Sequence, residues 1–453
     1  MTFAMLWVMA SILLLGALVL GACGMRARAD WMTFCGFVWP AGCLVLGLGL
    51  WLAVIGGVEP QYWLWLPLPI GGVVLACSSL SAAAPSLDPA PRTSLFLRLV
   101  LAFAVVVFAL HFAAAAAFPC LLGDEANLWA AKAKSLYLDW YRSEFVLAQT
   151  YTPHPDYPLL NPLLQAFVYA GNGEVVHIGN RWPIQLCALS LVFAVAAAVK
   201  RRAGCGVAAL LVLPLVLEPE FRHMSSTAYA DGMVGLGLVL LIDGFLREQE
   251  SPHRSHRAMA AIGCAFALWS KNEATLYVAL AVVGYAGAVV LRRVDRPKVT
   301  AAQVWLLLPL AVAVGQFAWN RWFSLHNDLF GKGGPEGSVP ELFVAQFGDR
   351  ALPVLLAASE LLLDPRRLHV VLVVPFVAAL VAWRTVATRA LLVPTFVIVT
   401  AVVVLHLIYI GSYLVLWFHL QTSHRRVLFQ LVPAALVWTA ALVREARAND
   451  LAA

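Results

Sequence analysis

Charged residues are scarce in this sequence. Asp, Glu, Lys and Arg together make up 12% of its 453 residues, whereas hydrophobic residues make up 62%. Soluble domains carry roughly a quarter charged residues, so this composition excludes a water-soluble globular protein. We therefore expect a membrane protein whose soluble parts are confined to loops.

The sequence also lacks basic stripes and close cysteine pairs. Its net charge is +6, but the basic residues fall in short clusters between apolar runs. The sequence contains no stripe of basic and aromatic residues of the kind that binds nucleic acids. None of the eight cysteines belongs to a C-x-x-C pair, and most lie in apolar runs, where a thiol behaves as a small hydrophobe. The sequence thus predicts no nucleic-acid partner, no metal cage and no disulfide framework.

Long apolar runs, by contrast, recur along the whole chain. A helix needs about 20 mostly apolar residues to cross a hydrocarbon core of roughly 30 Å. Runs that suit this purpose lie at 4–22, 32–56, 62–82, 95–118, 181–199, 204–220, 229–246, 258–270, 274–291, 301–322, 368–383, 390–413 and 426–443. The prediction is an all-α polytopic membrane protein with about 13 transmembrane helices. The shorter apolar stretch 350–363 is predicted to be a helix along the membrane surface.

Basic clusters between the runs predict the orientation, because cytoplasmic loops carry an excess of Lys and Arg. The clusters are Arg26/Arg28, Lys200–Arg202, Arg247–Arg257, Arg292–Arg296, Arg384/Arg389 and Arg444/Arg447. All of them fall on one side of the predicted topology, and Arg366-Arg367 is the exception. We expect a multi-pass protein of the inner (plasma) membrane, with its N-terminus outside and its C-terminal tail, 444–453, in the cytoplasm. The long outer loops would be 119–180, with an amphipathic interfacial helix at about Ala126–Tyr141, and 323–367.

Ionisable residues from distant segments converge on the predicted outer face. They are Asp124, Glu125, His154, Asp156, Tyr157, Asp231, Lys271, Glu273, His424 and Arg425. Individually, several have simpler explanations: Asp231 could cap a helix, and Arg425 could anchor to lipid headgroups. Because a charge at membrane depth costs roughly 2.5–3.5 kcal/mol or more, their convergence favours a functional site.

Each charge type has a chemical role in transfer to a hydroxyl. A carboxylate that accepts the hydroxyl proton contributes roughly 10²–10⁴-fold to the rate, and we assign this role to Asp124. Fixed cations stabilise a phosphate leaving group, which suits Lys271 and Arg425. Asp231 would hold the acceptor or orient a cation. Glu125 would orient Asp124 or assist metal binding, so a divalent cation stays open as a cofactor, although no metal-ligand spacing is visible.

Five stretches resemble motifs of the GT-C superfamily of membrane glycosyltransferases, which includes protein O-mannosyltransferases and the lipid A aminoarabinose transferase. They are LLGDEANLWAAKAKSLY (121–137), HPDYPLLNPLLQAFVY (154–169), STAYADGMVGLGL (226–238), ALWSKNEATLYV (267–278) and HRRVLFQLVPAALV (424–437), in the family's order. The resemblance implies a polyprenyl-phosphate-linked sugar donor and inversion at the anomeric carbon. It also implies that Asp124 is the base and that Lys271 and Arg425 lie near the lipid phosphate. One departure is Asp156-Tyr157, where relatives usually carry a lysine.

The resemblance divides the chain into three parts. Residues 95–443 would form the GT-C-like catalytic core with its outer loop and helix layer, 1–94 would add three transmembrane helices, and 444–453 would be the tail. The expected enzyme is an inverting hexosyl- or pentosyltransferase that acts on a glycan, lipid or protein acceptor among membrane lipids. The alternatives are a transporter or flippase of lipid-linked glycans, and a non-catalytic envelope-assembly membrane protein.

Overall fold

The chain folds into helices throughout its described part. The computed structural model describes residues 3–25, 30–79, 92–119, 123–139, 154–291, 307–325, 339–363, 370–386, 388–412 and 415–452, and no strand occurs among them. The helices are α1 (Phe3–Ala22), α2 (Trp31–Ile55), α3 (Pro67–Ser79), α4 (Leu95–Ala116), α5 (Ala131–Asp139), α6 (Leu160–Asn172), α7 (Trp182–Leu217), α8 (Pro219–Ser226), α9 (Asp231–Glu250), α10 (Arg254–Leu268), α11 (Glu273–Val290), α12 (Leu307–Trp322), α13 (Val339–Leu363), α14 (Val370–Val381), α15 (Leu392–Gly411), α16 (Leu416–His419) and α17 (Arg425–Ala452). A 3₁₀ turn (Pro60–Trp65) and two π-helical turns (Glu125–Ala130 and Leu420–His424) complete the order. The all-α prediction is confirmed for these residues.

Fewer helices than predicted are long enough to cross a membrane. Within the described residues, seven are sufficiently long and apolar, and up to eight if the bent pair α8–α9 counts as one span. The predicted number of about 13 is not confirmed. Within the described residues, four of the predicted runs contribute helices of 13, 15, 16 and 12 residues, namely α3, α10, α12 and α14. These described lengths are below the roughly 20 residues that cross a full hydrocarbon core.

Helix α7 is kinked at Gly204, where the backbone is not helical. The Arg181 side chain, just before α7, donates to the Ala115 and Phe118 carbonyls at the end of α4. The Lys200 ammonium lies 3.1 Å from the Thr93 hydroxyl, before the start of α4. Gly204 then adopts φ 86°, a left-handed conformation that glycine accepts readily. The two halves of α7 correspond to the predicted runs 181–199 and 204–220.

The described parts of the segment between α4 and α7 pack against the rest of the protein. The predicted amphipathic helix forms as the π-helical turn Glu125–Ala130 followed by α5; residues 140 and 141 of the prediction lie outside the described residues. Lys132 on this helix is fully buried, and α6 follows with almost every side chain buried. One face of the predicted helix is therefore packed against the protein, while Asn127, Lys134 and Leu138 on its other face are exposed.

The N-terminal helices and the predicted core share one hydrophobic core. A Cβ atom at Gly42 of α2 would lie 1.9 Å from the Ile12 carbonyl oxygen of α1, so these two helices touch backbone to backbone. A Cβ atom at Gly36 would likewise lie 2.6 Å from the Ala194 nitrogen of α7. Close approach of this kind requires glycine, since any side chain would push the helices apart. Helix α2 is therefore fixed against the body of the protein.

Candidate functional site

A buried carboxylate organises the candidate site. Asp231 begins α9, and its side chain is 1% exposed. Lys271 Nζ lies 3.0 Å from Asp231 Oδ1, and the Gln430 amide donates to the same oxygen at 2.6 Å. Arg426 Nε lies 3.5 Å from the other oxygen, Oδ2. The Asp231 carboxylate makes no capping hydrogen bond to α9, so the simpler helix-cap explanation does not account for it.

Arg426 joins this carboxylate to Asp124. Arg426 Nη2 lies 3.1 Å from Asp124 Oδ2, and the guanidinium carbon lies 4.4 Å from the centre of the Tyr229 ring. A guanidinium over an aromatic face gains a cation–π interaction, and its planar fork serves two partners at once. The Asp124 side chain is 37% exposed. In the group that we call the central cluster (Asp124, Asp231, Lys271 and Arg426), Asp124 is thus the carboxylate that a substrate can reach.

Lys271 lies in the turn between α10 and α11 and is buried. Its ammonium is 2.8 Å from Glu273 as well as 3.0 Å from Asp231, and it lies 6.0 Å from the centre of the Tyr157 ring. Burial alone would lower the pKa of Lys271, but the charges of Asp231 and Glu273 outweigh it and raise the pKa above its ordinary value. Lys271 is therefore a fixed positive charge at neutral pH.

The structure brings together Asp124, Asp231, Lys271 and Glu273, as the sequence predicted, but it places Arg425 elsewhere. Arg425 pairs with Glu220 at 2.8 Å and lies 4.0 Å from Glu218. Its neighbour Arg426, which sequence reasoning missed, occupies the position expected for Arg425. One signal could have found it: Gln430 is a polar residue in an apolar helix four positions after Arg426, hence on the same helix face.

Glu125 holds two segments of the chain together, and Asp124 is not among its hydrogen-bond partners. Its buried carboxylate lies 3.0 Å from Arg181 Nη1 and accepts a 2.9 Å hydrogen bond from the Ala228 amide. These bonds tie the π-helical turn after Asp124 to the segment that precedes Asp231. They support neither of the two predicted roles, orientation of Asp124 or metal binding. Within the described residues, no group of three or more His, Cys, Asp and Glu side chains could hold a metal ion.

The predicted residues His154, Asp156 and Tyr157 belong to a segment that is fastened to the Lys271 turn. Asn272 donates a 2.6 Å hydrogen bond to the Asp156 carboxylate. The Lys132 ammonium donates to the carbonyls of His154 at 2.7 Å and of Pro155 at 3.1 Å. The His154 and Tyr157 rings stack with their centres 4.5 Å apart. The sequence did not predict these contacts of Lys132, because a lysine in an amphipathic pattern is ordinarily expected to face solvent.

A pocket of about 830 Å³ opens beside the central cluster. His424 lines it, with its Nε2 atom 3.3 Å from that of His406. The polar and charged residues around the pocket are Glu220, Arg222, His223, Ser226, Tyr229, Glu360, Gln421, Thr422, His424, Arg425 and Arg426. The apolar ones are Pro219, Ala357, Leu361, Trp417 and Leu420. A single ligand in the pocket can thus contact the guanidinium groups of arginines and an apolar surface at the same time.

This arrangement combines a reachable carboxylate, two cations with fixed positions and an amphiphilic pocket. Such a combination can accept a proton from a hydroxyl and stabilise negative charge on a leaving group. Comparison of the chain with family models, with curated proteins and with solved structures gives no match.

Proposed function

We propose that the protein is an inverting glycosyltransferase that moves a sugar from a polyprenyl-phosphate donor to an acceptor hydroxyl. One observation carries the proposal: Asp124, 37% exposed, is held by Arg426 within a buried network that includes Lys271. The motif resemblance over 95–443 supports the same reaction. The acceptor is a hydroxyl of a glycan, a lipid or a protein.

Asp124 acts as the base in this proposal. The acceptor oxygen attacks the anomeric carbon from the face opposite the phosphate, and the bond from that carbon to the phosphate oxygen breaks. The hydroxyl proton passes to the Asp124 carboxylate, while the bonding electrons leave with the polyprenyl phosphate. Asp124 is suited to this role because it is the most exposed carboxylate of the central cluster, whereas Asp231 is enclosed by Lys271 and Gln430.

The pocket suits an amphiphilic donor. Arg222 is exposed and has no carboxylate partner in the described part of the chain, so it can bind phosphate without breaking an ion pair. Arg425 and Arg426 line the same pocket, and guanidinium groups bind phosphate in a bidentate manner. Leu361 and Trp417 supply apolar surface for the first isoprene units.

We further propose that the central cluster faces the outside of the plasma membrane. Shared carboxylates bring three of the basic clusters to one end of the fold. Arg202 and Arg247 both pair with Asp243, and Arg202 and Arg444 both pair with Glu250. That end is the cytoplasmic one by the excess of positive charge. Asp231 and Asp243 are 12 residues apart on α9, which corresponds to about 18 Å along the axis, so Asp124 and Asp231 lie toward the other face.

The test is transfer by purified protein in liposomes. The liposomes would contain a panel of polyprenyl-phosphate hexoses and pentoses, and labelled sugar would be followed into acceptor. We expect D124N to lose at least about 100-fold in transfer rate, since general-base catalysis contributes 10²–10⁴-fold. E174Q, which makes the same change at an exposed carboxylate outside the site, should keep its rate. Full transfer by D124N would eliminate Asp124 as the base.

The same liposomes separate this reaction from the alternatives. A transporter or flippase would move labelled lipid-linked sugar across the bilayer without forming a new glycosidic bond. A non-catalytic assembly protein would do neither. Wild-type transfer that depends on Asp124 would exclude both alternatives.

A further inference from the structure

The Lys271 turn is packed against a helix of the N-terminal region. Trp269, two residues before Lys271, is buried, and its ring lies at an edge-to-face angle of 73° to that of Trp51 on α2, with the ring centres 5.9 Å apart. A Cβ atom at Gly47, one turn earlier on α2, would lie 3.2 Å from the Trp269 ring. The Trp269 indole thus lies on the bare backbone of α2.

Trp51 also contacts helix α12. Its ring centre lies 6.5 Å from that of Trp319, and a Cβ atom at Gly315 would lie 2.4 Å from the Trp51 ring. The residue after Trp319, Asn320, donates a 3.0 Å hydrogen bond to the Asp156 carbonyl. Trp51 therefore lies between the Lys271 turn and the helix that holds the His154–Tyr157 segment.

The position of the Lys271 ammonium depends on this packing. A lysine side chain has a flexible four-carbon stem, so its charge is only as well placed as the backbone from which it extends. On one side, Ser270 fixes that backbone through a 2.6 Å hydrogen bond to the Phe266 carbonyl. On the other side, Asn272 donates a 2.6 Å hydrogen bond to Asp156. Trp269, just before Ser270, packs against α2. Removal of the Trp51 ring would take away the edge-to-face aromatic contact that supports Trp269 and the turn.

We propose that Trp51 is a positioning residue for Lys271, and hence that α2, besides being long and apolar enough to cross a membrane, supports the functional site. The catalytic consequence rests on the proposed glycosyltransferase function, whereas the positioning itself does not. The GT-C motifs lie within 95–443, and Trp51 lies outside that range.

Hydrogen–deuterium exchange tests the positioning without reference to activity. The comparison is between W51A and W31A in the full-length protein in detergent, with exchange followed in peptides that cover 269–275. Trp31 is a matched control, since it lies on the same helix about 30 Å away and packs edge-to-face on Phe193 at 5.8 Å. We expect amides of the Lys271 turn to exchange about tenfold faster in W51A and at the wild-type rate in W31A, because local opening follows local packing. Unchanged exchange in W51A would overturn the proposal.

Kinetics provide the second measurement. A displacement of a catalytic charge by about 1 Å can cost 10²-fold, so W51A should lower kcat by about 10–100-fold with a smaller change in KM. W51F, which keeps an aromatic ring, should recover most of the rate. A wild-type protein that transfers no sugar would refute the proposed function, and exchange would still decide whether Trp51 positions the turn. If W51A does not fold, W51L provides the same comparison with apolar volume retained.

Discussion

Two networks of ion pairs include residues of the same helix, α9, and they differ in how exposed their carboxylates are. In the central cluster, Asp231 at the start of α9 is buried, but its network ends at Asp124, which is 37% exposed. At the other end of α9, Asp243 lies 2.5 Å from Arg202 and 2.7 Å from Arg247, and none of these side chains is more than 5% exposed. We call Asp30, Arg202, Asp243 and Arg247 the arginine cluster. Asp243 and its two arginines form a buried centre in this cluster, and only its outlying partner Asp30 is partly exposed, at 17%. In the central cluster, by contrast, Asp124 is exposed and Arg426 lines the pocket.

The difference indicates different tasks. The arginine cluster ties helices together: Arg247 donates at 2.9 Å to the Thr33 hydroxyl on α2, and Asp30, which caps α2, accepts from the Thr33 amide at 3.3 Å. Such a network contributes to the specificity of packing. In the central cluster, Arg426 lines a pocket together with the charged residues Glu220, Arg222 and Arg425, and such pockets are where functional groups are usually found. Two similar sets of charged residues in one protein can therefore differ in their access to a pocket, and the proposed reaction uses the set that includes the pocket-lining Arg426.

The largest expected effect is on the free energy of unfolding, and it comes from removing the buried carboxylate at the centre of the arginine cluster. D243N would remove the nearest counter-charge of the buried Arg202 and Arg247, which costs about 3–5 kcal/mol, since Glu250 at 3.3 Å from Arg202 and Asp30 at 4.0 Å from Arg247 are farther away. D124N removes one partner of a partly exposed pair, so its free energy of unfolding should change by no more than about 1 kcal/mol. Denaturant or thermal unfolding in detergent measures both variants. Equal stability of the two would remove the distinction between the clusters.

A smaller effect, on the rate of sugar transfer, should distinguish the two adjacent arginines Arg425 and Arg426. R426K cannot reach Asp124 and Asp231 together, because lysine offers a point charge in place of a planar fork. We expect it to lower transfer about 10–100-fold, given that loss of one stabilising donor costs about 10²–10³-fold. R425K, whose partners are Glu220 and Glu218, should lose less. The opposite order would give Arg425 rather than Arg426 the larger part in transfer, as the sequence predicted.

The smallest effect concerns the pH dependence of the Lys271 ion pairs. The pKa of Lys271 is raised above its ordinary value of 10.5. A raised lysine pKa means that the stabilisation is fully present below pH 10.5 and is lost as the pH rises through the folded-state value. Wild type should thus keep a constant stability advantage over K271M from about pH 8 to about pH 10 and lose it above that range. Thermal unfolding over this range checks the sign; an advantage that disappears below pH 9 would contradict the pairing.

The sequence allowed much of the site to be predicted because polar residues stand out in an apolar chain. Asp124, Asp231 and Lys271 were predicted to meet, and they do, since a buried charge at a helix end needs a partner of opposite sign. Glu125 was given a role at the site, yet it is paired with Arg181, a residue with no motif to mark it. A carboxylate looks the same in sequence whether it anchors a loop or faces a substrate.

Composition and hydropathy by themselves determined that the chain is helical and embedded in a membrane, because lipid leaves backbone groups no partners except one another. Only the tertiary structure decided that Arg426 rather than Arg425 enters the central cluster, since successive side chains on a helix point about 100° apart. It also decided how many helices are long enough to cross, and that α2 supports the Lys271 turn. The contact between Trp51 and Trp269 joins residues far apart in the chain, and hydrophobic packing of this kind is non-directional, so no local pattern could have announced it.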